Sequence, residues 1–321
     1  MLLRTTLRHV KRSVMSVSPK KIDSGFGKAR PLPGSFRVAA IQMASGPNVG
    51  ANLSEAGRLI KMAADQGASI VALPEYFAIM GMRETDKINA AEDFGKGPIQ
   101  EFLARAAVRY GVWIVGGSVP IKTVKGSVKG SDPLTGSDPK KIRNSCLVFN
   151  NEGHCVARYD KIHLFGFRRG AEHYEEEKTI QPGDEVVAFD SPFGRIGLSI
   201  CYDLRFPELY RAMGPVDLIF IPSAFTETTG RAHWETLIRA RAIENLAYVV
   251  APAQGGYHKN GRETHGSSMI VDPWGVVLDQ LPRGSGIVIA GVNPIHLADL
   301  RLSLPALTHR TLGLTAPKKP K

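Results

Sequence analysis

The stretch Arg195-Ile-Gly-Leu-Ser-Ile-Cys-Tyr-Asp-Leu-Arg-Phe-Pro-Glu208 decides the reading of this chain. Residues 195–200 form an apolar run that predicts a strand, and Pro207 is a natural first residue of a helix. Cys201 therefore stands at a strand-to-helix corner. A thiol there is exposed above the sheet edge, and nearby backbone N–H groups favour its thiolate. The Tyr202 N–H is placed to donate to an oxyanion. A lone cysteine is more often a small core residue, so the case rests on what shares the corner.

Two charged residues occupy matching positions. Glu75 follows Ile70-Val-Ala-Leu-Pro74. A carboxylate directly after an apolar strand is costly unless the strand end opens into a site. Burial there disfavours its ionised form, which suits a group that takes and gives a proton near neutral pH. The plain alternative is a turn or helix-cap carboxylate. Lys161 lies in Arg158-Tyr-Asp-Lys-Ile-His-Leu164, again at the end of a strand. A fixed ammonium stabilises a thiolate and the O⁻ of a tetrahedral intermediate, although a lysine met singly is usually on the surface. Together, one Cys, one Glu and one Lys at strand ends mark the place where sites form in open α/β sheets. His163 and His233 are further candidates for touching substrate, and Arg168, Arg169 and Arg205 for holding a substrate carboxylate. Gly255, Gly256 and Gly261 mark a loop, since no phosphate-binding glycine pattern is present.

Working outward, short apolar runs alternate with helical periodicity. Strands are expected at 36–43, 69–73, 112–119, 144–149, 154–160, 185–189, 195–200, 216–221, 247–251, 267–271, 276–279 and 287–292. Helices are expected at 51–66, 98–110 and 231–245, the first two closed by Gly67 and Gly111. Turns at Asn150–Gly153, Ser191–Gly194 and Asp272–Gly275 predict three hairpins. The alternation predicts parallel pairing and the hairpins add antiparallel pairs. An α/β fold with mixed sheets and helices outside follows. Residues 122–143 and 166–184 read as polar loops.

The net charge of +11 raises nucleic acid as a partner, but its distribution argues otherwise. Residues 1–30 carry eight Lys or Arg against one Asp, residues 122–143 carry six against two, and Lys318, Lys319 and Lys321 close the chain. The rest is mildly acidic and brings no stacking or groove-reading motif. Three cysteines without a C-x-x-C pair argue against a disulfide scaffold or zinc site and for a reducing compartment. No apolar run approaches membrane-spanning length. Residues 1–34 read as a basic, disordered leader, 35–312 as one domain and 313–321 as a basic tail. The location expected is cytoplasmic, or organellar if the leader is a transit peptide.

The three blocks Leu73-Pro74-Glu75, Lys161-Ile-His-Leu164 and Cys201-Tyr-Asp-Leu-Arg-Phe-Pro-Glu208 resemble, in order and separation, those of the nitrilase superfamily of carbon–nitrogen hydrolases. The resemblance implies a four-layer α-β-β-α sandwich, a homodimer or larger homo-oligomer, a small-molecule amide substrate, and no metal or organic cofactor. It implies a Cys201-Glu75-Lys161 triad working through a thioester, releasing ammonia and a carboxylate. It also implies a second glutamate near the lysine; spacing to Gln181-Pro182-Gly183 selects Glu176, with Glu175 and Glu177 as neighbours. Tyr202-Asp203 after the cysteine differs from the Trp-Glu of nitrile-cleaving members. The segments 222–235, 239–244 and 271–275 resemble the Nit branch. Within it, Ser223-Ala224-Phe225 and Ala253-Gln254 are more like deaminated glutathione amidases than ω-amidases. Hydrolysis of α-keto amides, nitriles or N-carbamoyl compounds, and a non-catalytic scaffold, stand as the alternatives. Phe165-Gly-Phe-Arg-Arg-Gly170 departs from the Asp-Val-type sequence of that loop and bears on the substrate.

Overall fold

A computed structural model describes residues 34–123, 141–170 and 172–312. The leader (Gly34 aside), the tail and most of the 122–143 loop lie outside them. Strands β1 (Phe36–Gln42), β2 (Ala68–Ala72), β3 (Trp113–Val115), β4 (Val119–Lys122), β5 (Ile142–Phe149) and β6 (Cys155–Asp160) come first. Strands β7 (Gly166–Arg169) and β8 (Glu172–Glu175) form a short ribbon. Then follow β9 (Ala188–Ser191), β10 (Gly194–Leu198), β11 (Leu218–Phe220) and β12 (Tyr248–Ala251). A second ribbon pairs β13 (Gly255–Tyr257) with β14 (Glu263–His265), before β15 (Ser268–Val271), β16 (Val277–Leu281) and β17 (Gly286–Val292). The α-helices are α1 (Val49–Asp65), α2 (Asp86–Asn89), α3 (Pro98–Tyr110), α4 (Pro207–Ala212), α5 (Glu227–Asn245) and α6 (Pro294–Ser303).

Two mixed sheets result. The first has the order β17-β1-β2-β3-β5-β4, with β6 also paired to β5. The second has the order β16-β15-β12-β11-β10-β9. In each, two parallel pairs at the centre are flanked by antiparallel ones. The apolar strands read as continuous runs because both faces are covered. In β1, Ala39 and Ile41 join α1 and α3 in an outer core, while Val38 and Ala40 join the second sheet in an inner one. Trp234 and Ile238 of α5 close the far side. The layers are therefore helix, sheet, sheet, helix.

Local signals set the element ends. The Asn48 side chain caps α1, Thr226 caps α5 and Asn293 caps α6, each accepting from the first turn. Gly111 closes α3 in the left-handed region. Several expectations need correction. The run 112–119 is two strands, because the chain turns at Gly116-Gly117. Residues 122, 142 and 143 are strand, since β4 and β5 pair across the loop. Residues 166–184 contain the ribbon β7–β8 and a 3₁₀ turn at Glu176–Lys178. Helix α5 begins at Glu227, one turn earlier than its apolar spacing indicates. No described helix is long and apolar enough to cross a membrane.

Candidate active site

Glu75, Lys161 and Cys201 each lie just past a strand, the first two from one sheet and the third from the other. Beyond β2 the Leu73 N–H still donates to Val115 O at 2.9 Å. The chain then turns at Pro74, and Tyr76 takes a positive φ of 56°, which is costly for a bulky residue. The break between β3 and β4 accommodates this turn. The Tyr76 N–H donates to Ser118 Oγ at 2.9 Å, and a Cβ on Gly117 would come within 2.1 Å of Pro74 O. Gln254 Nε2 donates to Glu75 O at 3.0 Å. The Glu75 backbone is thus held from two sides.

Lys161 is tied by backbone bonds on both sides. Its N–H donates to Asn144 O at 3.0 Å, and its carbonyl accepts from Gly183 N at 2.8 Å. Its ammonium donates to Glu75 Oε1 at 2.8 Å and to both Glu176 oxygens at 3.0 and 2.8 Å. Asn144 Nδ2 adds a bond to Glu75 Oε1 at 3.0 Å. Glu176 also accepts from the Phe165 N–H at 2.8 Å and from the Tyr76 hydroxyl. Glu75 and Lys161 are 1% exposed and Glu176 is 7% exposed. Of the three adjacent glutamates, Glu176 alone reaches Lys161; Glu175 pairs with Lys178, and Glu177 is exposed.

Cys201 has φ 50° and opens a 3₁₀ turn, Cys201–Arg205, which precedes α4. Its N–H donates to Pro222 O at 2.9 Å. Asp203, fully buried, locks this turn to the lysine segment. It accepts from the Ile200 N–H at 2.9 Å, the Tyr159 hydroxyl at 2.7 Å and the His163 N–H at 3.0 Å. Tyr202 is the second residue of the turn, where N–H groups have no acceptor within the helix.

The electrostatics separate the groups. Burial alone would push Lys161 toward its neutral form, but Glu176 and then Glu75 outweigh it and hold the ammonium charged above the ordinary lysine range. Burial likewise opposes ionisation of Glu176, yet Lys161 and then Lys87 bring its carboxyl down to about 2. The Cys201 thiol goes the other way. Burial, then the Glu75 charge, push it well above its ordinary value, against the pull of Lys161 and the Ala224 N–H. This corrects the expectation of a thiolate favoured by backbone N–H groups: the resting Cys201 side chain is a thiol, and a base is needed to ionise it.

A narrow cavity of about 30 Å³ lies among Glu75, Lys161, Glu176, Cys201, Phe165 and Arg262, with Tyr174 of β8 in its wall. An adjoining one reaches Arg205, Tyr202 and Phe225. Neither is lined by His163 or His233. The His163 ring bonds Asp203 at 2.7 Å and stacks on Phe206 at 3.7 Å, while His233 Nδ1 faces Arg205 at 3.1 Å. Both rings thus bond protein groups. Arg168 sits on the exposed ribbon against His173. A larger groove of about 950 Å³ between α1 and α3 is lined by none of Glu75, Lys161 and Cys201 and lies apart from this chemistry. Asn144, Asp203 and Arg262 were missed in the sequence. Asn144 alone carried a signal, a buried-strand amide just before the apolar run Cys146–Phe149. Among the described residues no group of three or more His, Cys, Asp or Glu could hold a metal.

A four-layer sandwich that gathers a cysteine, a glutamate and a lysine at its strand ends defines a carbon–nitrogen hydrolase. Residues 37–301 match the carbon-nitrogen hydrolase family, and the chain belongs to it. It is 42% identical over 280 residues to a deaminated glutathione amidase of Synechocystis sp., covering 86% of this chain and 98% of that one. It is 35% identical over 279 residues to an ω-amidase of Xenopus laevis, covering 86% and 95%. The crystal structure of the NitFhit protein of C. elegans superposes with a TM-score of 0.75 at 34% identity, covering 88% of this chain and 66% of that longer one.

Proposed function

We propose that this protein is an amidase that hydrolyses the carboxamide of deaminated glutathione through a Cys201 thioester. The observation that carries the reading is the Lys161 ammonium, bonded to Glu75 and Glu176 beside the Cys201 thiol. The names borne by its relatives support the substrate.

Glu75 accepts the Sγ proton as sulfur bonds to the amide carbon and the carbonyl electrons move to oxygen. Lys161 and the Tyr202 N–H hold that oxyanion. Its collapse breaks the C–N bond, and the protonated Glu75 delivers its proton to the leaving nitrogen, giving the free amine of cysteinylglycine, or ammonia where the substrate is a primary amide. Water then gives a proton to Glu75 and attacks the thioester. Collapse expels sulfur, which recovers the proton from Glu75, and leaves a carboxylic acid, which ionises to the carboxylate on release. Glu176 does not meet substrate in this scheme; it positions Lys161.

Release of the amine product is measured, cysteinylglycine from deaminated glutathione and ammonia from α-ketoglutaramate, a simple aliphatic amide, a nitrile and an N-carbamoyl amino acid, each beside Cys201→Ser. Activity on deaminated glutathione that is lost in the variant is the expected result. Full activity of Cys201→Ser sinks the mechanism, and preference for another compound replaces the substrate. The ω-amidase reading has one specific support, the Xenopus relative, and α-ketoglutaramate tests it. A homodimer belongs to the same proposal. Exposed Ile243 on α5 and Trp274 and Val276 beside β16 support an apolar pairing face, which sedimentation checks.

A further inference from the structure

Two donors meet the Glu75 side chain on the same oxygen. Oε1 accepts from the Lys161 ammonium at 2.8 Å and from Asn144 Nδ2 at 3.0 Å. The two bonds fare differently once the reaction starts. The Lys161 bond is charge-assisted, so it weakens when Glu75 is protonated and an oxyanion competes for the ammonium. The Asn144 bond joins a neutral donor to an oxygen that remains an acceptor in a carboxyl protonated on its other oxygen. Asn144 is therefore the anchor of Oε1 that survives the proton transfer.

Asn144 is itself fixed. It lies in β5 and is buried. The strand is paired on both sides there: Asn144 faces Pro120 of β4, and the adjoining Ser145 faces Val119 of β4 and Asp160 of β6. The Asn144 carbonyl accepts the Lys161 N–H at 3.0 Å. One residue thus ties the lysine by its main chain and the glutamate by its side chain. A carboxyl turns readily about its last bond. A half-turn of protonated Glu75 would carry the proton away from Cys201 and from the leaving nitrogen.

Building on the amidase reading above, we propose that Asn144 is a positioning residue that pins Oε1 of Glu75, so that Oε2 takes the Cys201 proton and stays aimed at the leaving nitrogen until the proton is delivered. At rest Lys161 shares the task, so Glu75 can act as base without Asn144. After the transfer Asn144 holds the acid. Its loss therefore falls on the step that needs an acid, the departure of a basic amine. An ester whose leaving group departs as a stable anion forms the same thioester without that acid.

The test compares deaminated glutathione with the 4-nitrophenyl ester of its acyl group in wild type, Asn144→Leu and Asn144→Ser. Both compounds give one Cys201 thioester and differ in the group that leaves. Should wild type prefer another amide of the panel, that amide and its own 4-nitrophenyl ester take their place. Asn144→Leu should lower kcat/KM for the amide on the order of 10²-fold, the lower end of what a placed general acid contributes, and leave that for the ester little changed. The loss should lie in kcat, with KM for the amide close to wild type. Iodoacetamide should alkylate Cys201 at the wild-type rate, since resting Glu75 keeps its bond to Lys161. If Asn144→Leu does not fold, Asn144→Ser, whose hydroxyl ends a bond short of the amide nitrogen, carries the same expectation. Equal losses on amide and ester mark a merely structural residue and overturn the proposal, as does an amide rate that survives the substitution; both leave an active amidase. Wild type that cleaves the ester and none of the amides sinks the amidase reading, and the proposal falls with it.

Discussion

Glu176→Gln isolates the charge that holds the lysine. The substitution keeps shape and one acceptor oxygen but removes the negative partner of the Lys161 ammonium. Its size can be worked from the structure. A carboxyl held at about 2 instead of its ordinary 4.5 favours the ionised folded state by about 3 kcal/mol, at about 1.4 kcal/mol for each factor of ten. Breaking a buried pair costs roughly 3–5 kcal/mol, and Lys161 keeps Glu75, so the lower end applies. At pH 7 urea unfolding should show the variant about 3 kcal/mol less stable, with melting roughly 5–10 °C lower.

The sign fixes the pH dependence. A carboxyl whose folded value is depressed stabilises fully above its ordinary value and loses that stabilisation as pH falls through the folded one. The gap between wild type and Glu176→Gln should therefore be complete at pH 5 and above, and close between about 4.5 and 2. Unfolding curves at pH 7, 5, 4 and 3 for both proteins make the comparison. A gap that stays constant to pH 3, or is absent at pH 7, refutes the reasoning. Because Glu176 positions the lysine, kcat should fall on the order of 10²-fold with KM little changed, and Glu176→Asp should recover part of it.

Lys161→Ala leaves Glu75 and Glu176 as two buried carboxylates without their cation. It should lose about 3–5 kcal/mol as well as turnover; thermal unfolding at wild-type temperature would show that the network is not structural. Glu75→Gln removes a charge that pushes the Cys201 thiol up while Lys161 remains. The pH midpoint of Cys201 alkylation by iodoacetamide should move down although turnover is lost, and a midpoint that moves up contradicts the scheme. Asp203→Asn cannot accept all the bonds that Ile200, Tyr159 and His163 give it. About 1–3 kcal/mol of stability should go, with slower alkylation of Cys201; wild-type behaviour in both would remove Asp203 from the site.

The sheets were legible because covering both faces of a strand demands unbroken apolar runs, and 69–73 and 195–200 are such runs. Their ends gave Glu75 and Cys201 directly. Residues that act through others were less visible. Asp203 follows the nucleophile by two positions and reads as a helix-start carboxylate; its buried bonds to Tyr159 and His163 come from sequence some forty residues away. Arg262 lies in a polar turn whose ribbon, β13–β14, has too few apolar residues to show a period. The direction in which the Cys201 thiol shifts was misread for a related reason. Local N–H groups are encoded beside it, whereas burial and the Glu75 charge arrive through tertiary packing.

That reversal makes chemical sense. In the resting site the Lys161 ammonium faces the Glu176 carboxylate, and burial keeps the Cys201 thiol protonated. In the proposed mechanism Glu75 takes the thiol proton as sulfur attacks, and the negative charge moves from the carboxylate to the substrate oxygen. No net charge enters or leaves the buried volume in that step, so little solvent has to reorganise. All three Lys161 donors are engaged at rest, one with Glu75 and two with Glu176. In that scheme protonation of Glu75 weakens its bond to Lys161 as the oxyanion forms, which frees one donor for it. The two bonds to Glu176 keep the ammonium from following the proton.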